Sequence, residues 1–253
     1  MKKLSSAIFA SVLLVAPVVM TGCSIDKNVY QNNDNGIEPS KTMVTNDLTV
    51  AEFNQLQASS AIKVVYQQST DRTYSATLTA PENLIPYFIY TQNGNTLNFR
   101  LKEVSINGNP NITVTVTSPE LTNVNLSGAC DFDSNSINQS ETPLALIASG
   151  ASDITINNLT VKDVNAQISG ASELEINAVN ANDVTIDVSG ASDAVIGGTA
   201  QTVTLNASGA SGIKAGKLQA AAGSVIASGA SDIKANIKNV TMQSSTGSST
   251  IKL

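Results

Sequence analysis

Apolar and polar residues alternate in short runs along most of this chain, and the runs recur at a nearly fixed stride. Counting from Gly128, Gly150, Gly170, Gly190, Gly209 and Gly229, the fourth residue is Phe132, Ile154, Leu174, Ala194, Ile213 or Ile233. The sixth is Ser134, Ile156, Ile176, Ile196, Ala215 or Ala235. Side chains two apart share a face of a strand, so each segment predicts a strand with one face turned inward. A second apolar set precedes the next glycine: Val164, Ala166 and Ile168, then Val184, Ile186 and Val188, then Val203, Leu205 and Ala207. At the seventh place stand Asn135, Asn157, Asn177, Gly197, Gly216 and Asn236. These residue types tolerate a left-handed backbone, so a sharp turn is expected there.

The counting glycines belong to a tetrapeptide, Ser-Gly-Ala-Ser, with the variant Ser127-Gly128-Ala129-Cys130 ahead of the others, at intervals of 22, 20, 20, 19 and 20 residues. Two or three short strands in about 20 residues match one coil of a β-solenoid, each strand pairing in parallel with its counterpart in the next coil. A helical solenoid needs longer repeats and a 3.6-residue apolar period, which these segments lack. The fold class predicted is all-β, a parallel β-helix. Gly247, with Ile251 and Leu253 at the fourth and sixth places, reads as a truncated last coil, and no proline follows Pro143 to interrupt the ladder.

Residues 127–253 form the regular section. The preceding residues 47–126 belong to the same domain but are irregular and aromatic, with Phe53, Tyr66, Tyr74, Tyr87, Phe88, Tyr90 and Phe99. Asn93-Gly94 between Phe88-Ile89-Tyr90 and Leu97-Asn98-Phe99 is a hairpin signal. Leu48 to Gln67, Tyr74 to Thr79 and Ile112 to Val116 also read as strands. The aromatics are expected to fill and cap the core; Tyr66, Tyr74, Tyr87 and Tyr90 are the candidates for a sugar-stacking platform.

Lys2 and Lys3 precede the apolar run from Ala7 to Met20, the layout of a secretory signal in residues 1–22. The run ends in Met20-Thr21-Gly22-Cys23, which resembles a bacterial lipobox with methionine in place of the usual leucine, so Cys23 is the expected lipidation site. Ser24 after it resembles the lipoproteins that Gram-negative bacteria send to the outer membrane. Residues 23–46 are expected to be the lipidated N-terminus and a flexible polar tether, anchoring the chain at the cell surface or the periplasmic face. Cys130 would then be the lone thiol, read as a small corner residue.

Removing residues 1–22 takes Lys2 and Lys3 from 14 basic against 20 acidic residues, leaving a net charge of minus eight. Nucleic acid and bare anionic membrane are therefore poor partners. After the tetrapeptide come Asp153, Glu173, Asp193, Gly212 and Asp232, and Asp131 follows Cys130. In stacked coils these would form a row at about 4.8 Å spacing, each neighbouring pair repelling by about 0.9 kcal/mol in bulk water. The row is a candidate ligand or cation ladder. Its simplest role is to accept backbone N–H bonds at the corner. No cofactor is implied; calcium is the ion such a row could attract, yet one carboxylate per coil falls short of the about six to eight oxygens it takes.

No Ser/His/Asp or Cys/His set can be assembled, and among the plentiful acids nothing singles out a pair for glycoside hydrolysis. The chain has no histidine, its two arginines are Arg72 and Arg100, and Lys162, Lys214, Lys217, Lys234 and Lys238 read as scattered solvating residues. No zinc set is present either.

Val114-Thr115-Val116-Thr117-Ser118-Pro119-Glu120-Leu121, then Val124-Asn125-Leu126-Ser127-Gly128-Ala129 and the later Ser-Gly-Ala-Ser-Asp copies, resemble the head GIN domain family of auto-transporter adhesins. Phe53 to Tyr66, Asn83 to Tyr87 and Asn93 to Leu97 are similar to that family's first section. The resemblance covers about Val50 to the C-terminus. It implies a single-stranded right-handed β-helix, related in shape to pectin lyases but without their catalytic residues. The expected function is non-enzymatic binding of an extracellular protein or glycan by an adhesin-like lipoprotein. A periplasmic structural or envelope-stress component and a carbohydrate-active enzyme are the alternatives, the last resting on fold analogy alone.

Overall fold

The period of two seen in the sequence becomes a stack of parallel strands in the computed structural model, which describes residues 36–253. The strands are β1 (Met43–Leu48), β2 (Gln55–Ser59), β3 (Ile62–Gln68), β4 (Ser75–Pro81), β5 (Phe88–Asn93), β6 (Thr96–Leu101) and β7 (Ile112–Ser118) in the first section. The regular section holds β8 (Asn123–Ser127), β9 (Asp131–Gln139), β10 (Leu144–Ala148), β11 (Asp153–Val161), β12 (Asp163–Ile168), β13 (Glu173–Val188), β14 (Asp193–Ala207), β15 (Gly212–Ala227), β16 (Asp232–Ser245) and β17 (Thr250–Lys252). In the regular section each coil pairs with the next one 17 to 22 residues on, giving a β-solenoid of about 6 turns at about 20 residues per coil.

Register is strict. Ile154 lies on Leu174 and Leu174 on Ala194, while Val164 lies on Val184 and Val184 on Val203. These positions are buried, so the core is a narrow column of Ile, Val, Leu and Ala. Phe132 is the one aromatic residue of the regular section and stacks on Tyr66 with centroids 6.3 Å apart.

The glycine corners explain the tetrapeptide. Gly150, Gly170, Gly190, Gly209 and Gly229 all have φ between +76° and +84°, and their carbonyls accept the N–H of Ala171, Ala191, Ala210, Ala230 and Ser248 from the following coil. A Cβ on Gly190 would sit 2.7 Å from Gly170 O, so only glycine fits under glycine. The second serine of each copy is buried and ties the coils together: Ser152, Ser172 and Ser192 Oγ accept the N–H of Cys130, Ser152 and Ser172 at 3.1–3.2 Å.

The asparagine position corrects one expectation. Neither Asn135, Asn157 and Asn177 nor Gly197 and Gly216 adopt a positive φ. The asparagines drop out of the backbone pairing and stack their side chains instead: Asn177 Nδ2 donates to Asn157 Oδ1 at 3.0 Å, and Asn157 Nδ2 to Asn135 Oδ1 at 3.2 Å. The residue type is selected for an amide that both donates and accepts up the stack, rather than for left-handed backbone.

The first section covers the upper end with antiparallel pairs. β1 pairs with β4, β4 with β7, and β5 with β6 through the Asn93-Gly94 turn, while β2 and β3 run parallel to β8 and β9. The tether boundary expected at residue 46 therefore falls earlier, since β1 starts at Met43 and Ile37 bridges Ile106. The polar composition of this stretch hides an edge strand whose contribution is mostly backbone pairing. The signal segment 1–22 and Cys23 lie outside the described residues.

Candidate functional site

Strand register brings the predicted acidic residues into one column. Asp131 lies on Asp153, Asp153 on Glu173, Glu173 on Asp193, Asp193 on Gly212, Gly212 on Asp232, and Asp232 on Thr250. All five acids are exposed on the outward face of the strand that leaves each glycine corner. Above Asp131 the column continues into Lys63, a residue the repeat count does not reach. The Lys63 ammonium makes an ion pair with Asp133, two residues along the same face, and that bond holds it above the usual lysine range.

Repulsion within the column is relieved locally. Asp153 Oδ1 accepts the N–H of Glu173 at 3.2 Å. Asp193 Oδ1 leans into the room left where Gly212 has no side chain. Although Asp131 is exposed as a residue, partial desolvation of its carboxyl first, and then the charge of Asp153, holds that carboxyl above the ordinary aspartate range. Among the described residues, no three Asp, Glu, Cys or His side chains converge as ligands of one metal ion would.

The first corner of this face escapes the sequence pattern because it has no glycine. Ser60 and Ala61, with φ of 71° and 55°, occupy the places of Gly128 and Ala129, and Ala61 N–H donates to Gly128 O at 3.1 Å. Ile62 N–H donates to Cys130 Sγ at 3.4 Å, so the thiol does the work of the repeat's serine. It is fully buried, and burial pushes its pKa up.

The four tyrosines separate. Tyr66 is buried, its hydroxyl donating to Ser118 O at 3.0 Å, and burial pushes its phenol up to about 12. It is no part of a surface platform. Tyr74 packs edge-on against Phe53, Tyr87 is half-buried, and Tyr90, 37% exposed, stacks against Phe88.

The model of the family described as "Putative auto-transporter adhesin, head GIN domain" matches residues 52–253. The chain belongs to this family. Solved structures similar to this head GIN chain include a putative adhesin from Bacteroides fragilis, 26% identical, with a TM-score of 0.62, covering 86% of this chain and 99% of that one. A putative adhesin from Parabacteroides merdae is 17% identical, with a TM-score of 0.71, over 85% and 98% of the two chains. A putative lipid binding protein from Parabacteroides distasonis is 15% identical, with a TM-score of 0.72, over 86% and 99%. The last two share the fold alone. No curated protein matches the chain.

Proposed function

We propose that this head GIN protein is an outer-membrane lipoprotein, held by lipid on Cys23, whose solenoid binds an external protein or glycan without catalysing a reaction. The observation that carries the reading is the family match over residues 52–253, joined to a stack whose outward side chains repeat in register. Side chains repeated at about 4.8 Å offer many weak contacts to a partner that also repeats, and contacts made together bind far more tightly than any one alone. The likeness to the Bacteroides fragilis adhesin supports the same reading.

Protease treatment of intact cells tests it. The solenoid is expected to be cut together with a known surface marker, and Cys23→Ala is expected to abolish membrane retention. Protection of the solenoid while the marker is cut would overturn the surface assignment.

A further inference from the structure

The exposed face that carries the acidic column changes sign along the stack. Its earlier coils carry Asp131, Asp133, Asp153, Glu173, Glu175 and Asp193, whereas the coils after them carry Lys214, Lys234 and Lys252 beside the single Asp232. Two residues along each strand from the acids runs a second column: Asp133, Thr155, Glu175, Val195, Lys214, Lys234 and Lys252. Its last three members are exposed lysines in consecutive coils. Among the described residues none of the three makes an ion pair, the Lys63–Asp133 pair being the one present.

Like charges on neighbouring strands oppose the stack, so such a column needs a reason. Protection of an edge explains Lys252, which lies on the last strand, but β15 and β16 are paired through Lys214 and Lys234, where no edge needs guarding. The surroundings are shaped as well as charged. Gly212 interrupts the acidic column here, beside a notch of about 500 Å³ lined by Asp193, Gly212, Lys214, Asp232, Lys234 and Lys252 among others. The stem of Lys234 lies over Gly216, where a Cβ would come 3.2 Å from its Cε.

We propose that this lysine column binds a linear anionic polysaccharide, one bearing carboxylate or sulfate groups along its length. The three lysines stand in register on consecutive strands about 4.8 Å apart, a spacing close to the length of one sugar ring. An extended acidic peptide repeats its same-side residues at about 6.7 Å and falls out of step. The inference rests on the proposed adhesin role for where the ligand is met, and not for whether the site binds.

Affinity electrophoresis of the purified full chain through gels containing polygalacturonate, dextran sulfate or neutral dextran tests it, with phosphatidylcholine–phosphatidylglycerol vesicles as a parallel arm. Polygalacturonate, dextran sulfate or both are expected to retard the chain in a salt-sensitive way while neutral dextran does not, the two polymers separating carboxylate from sulfate recognition. Lys214→Gln with Lys234→Gln is expected to weaken retardation about tenfold, as loss of two exposed ion pairs would, with Lys162→Gln unchanged. Circular dichroism confirms that the variants fold. Equal retardation by neutral dextran, none by either charged polymer, native retardation of the double variant, or lysine-dependent vesicle binding without polymer binding would each overturn the proposal. Any of these leaves the protease result on cells standing.

Discussion

Ser172 Oγ accepts the backbone N–H of Ser152 at 3.1 Å, joining the corner of one coil to the corner of the coil before it. Both serines are buried, so water cannot replace the bond. Ser172→Ala strands the Ser152 amide, and the expected loss is about 1–3 kcal/mol in urea unfolding. Hydrogen exchange at the Ser152 amide should quicken with it. Ser172→Cys should cost less, because Cys130 Sγ already accepts the N–H of Ile62 in the equivalent place.

Glycine substitutions separate conformational strain from collision. Gly94, with φ +56° at the hairpin tip, has nothing within 4 Å of an added Cβ. Gly94→Ala is expected to cost about 1–2 kcal/mol, the ordinary penalty for an L-residue in left-handed backbone. Gly190→Ala adds a Cβ at 2.7 Å from Gly170 O and 3.1 Å from its N, so the coils must part. Its thermal midpoint should fall well below that of Gly94→Ala, and comparison of the two melting curves checks this.

Much of this architecture is legible because one requirement repeats. A left-handed corner beneath another corner admits only glycine, so the period prints itself in the sequence at Gly150, Gly170, Gly190, Gly209 and Gly229. The corner at Ser60-Ala61 leaves no such mark: both residues hold a positive φ without being glycine, and a Cβ on Gly128 beneath them would come no nearer than 3.6 Å to Ser60 N. β1 is likewise hidden, its strand held by antiparallel pairing to β4 rather than by an apolar face. The lysine column was within reach of the same count: Lys214, Lys234 and Lys252 each stand fifth after a corner glycine. Read one residue at a time they look scattered, and only the stacking of coils makes them neighbours.

The acidic column gives stability a pH dependence at Asp131. Its folded pKa is raised, by burial first and by Asp153 second, above the unfolded value of about 3.9. The folded state therefore holds the proton more tightly, and the associated stability is present below the unfolded pKa and lost as pH rises through the folded one. Asp131→Asn, which mimics the protonated acid, should match the native chain at pH values below about 4 and become relatively more stable toward neutrality. Urea midpoints of the two proteins measured across that range check the sign; a difference that shrinks with rising pH would contradict it.

Cys130 should behave as a structural rather than a reactive thiol. Its side chain is fully buried, it accepts the Ile62 N–H at 3.4 Å, and burial raises its pKa, so little thiolate forms at neutral pH and reagents cannot reach it. Alkylation by iodoacetamide, read by peptide mass mapping so that Cys23 is scored separately, should be slow in the native chain and rapid in urea. Cys130→Ser restores the residue found at the other corners and should keep the fold, because a hydroxyl accepts the same N–H. Cys130→Val fills the space but offers Ile62 no acceptor, and an expected loss of about 1–3 kcal/mol relative to Cys130→Ser would measure the unmade bond. Rapid native alkylation, or equal stability of the serine and valine variants, would show that the sulfur is neither enclosed nor needed as an acceptor.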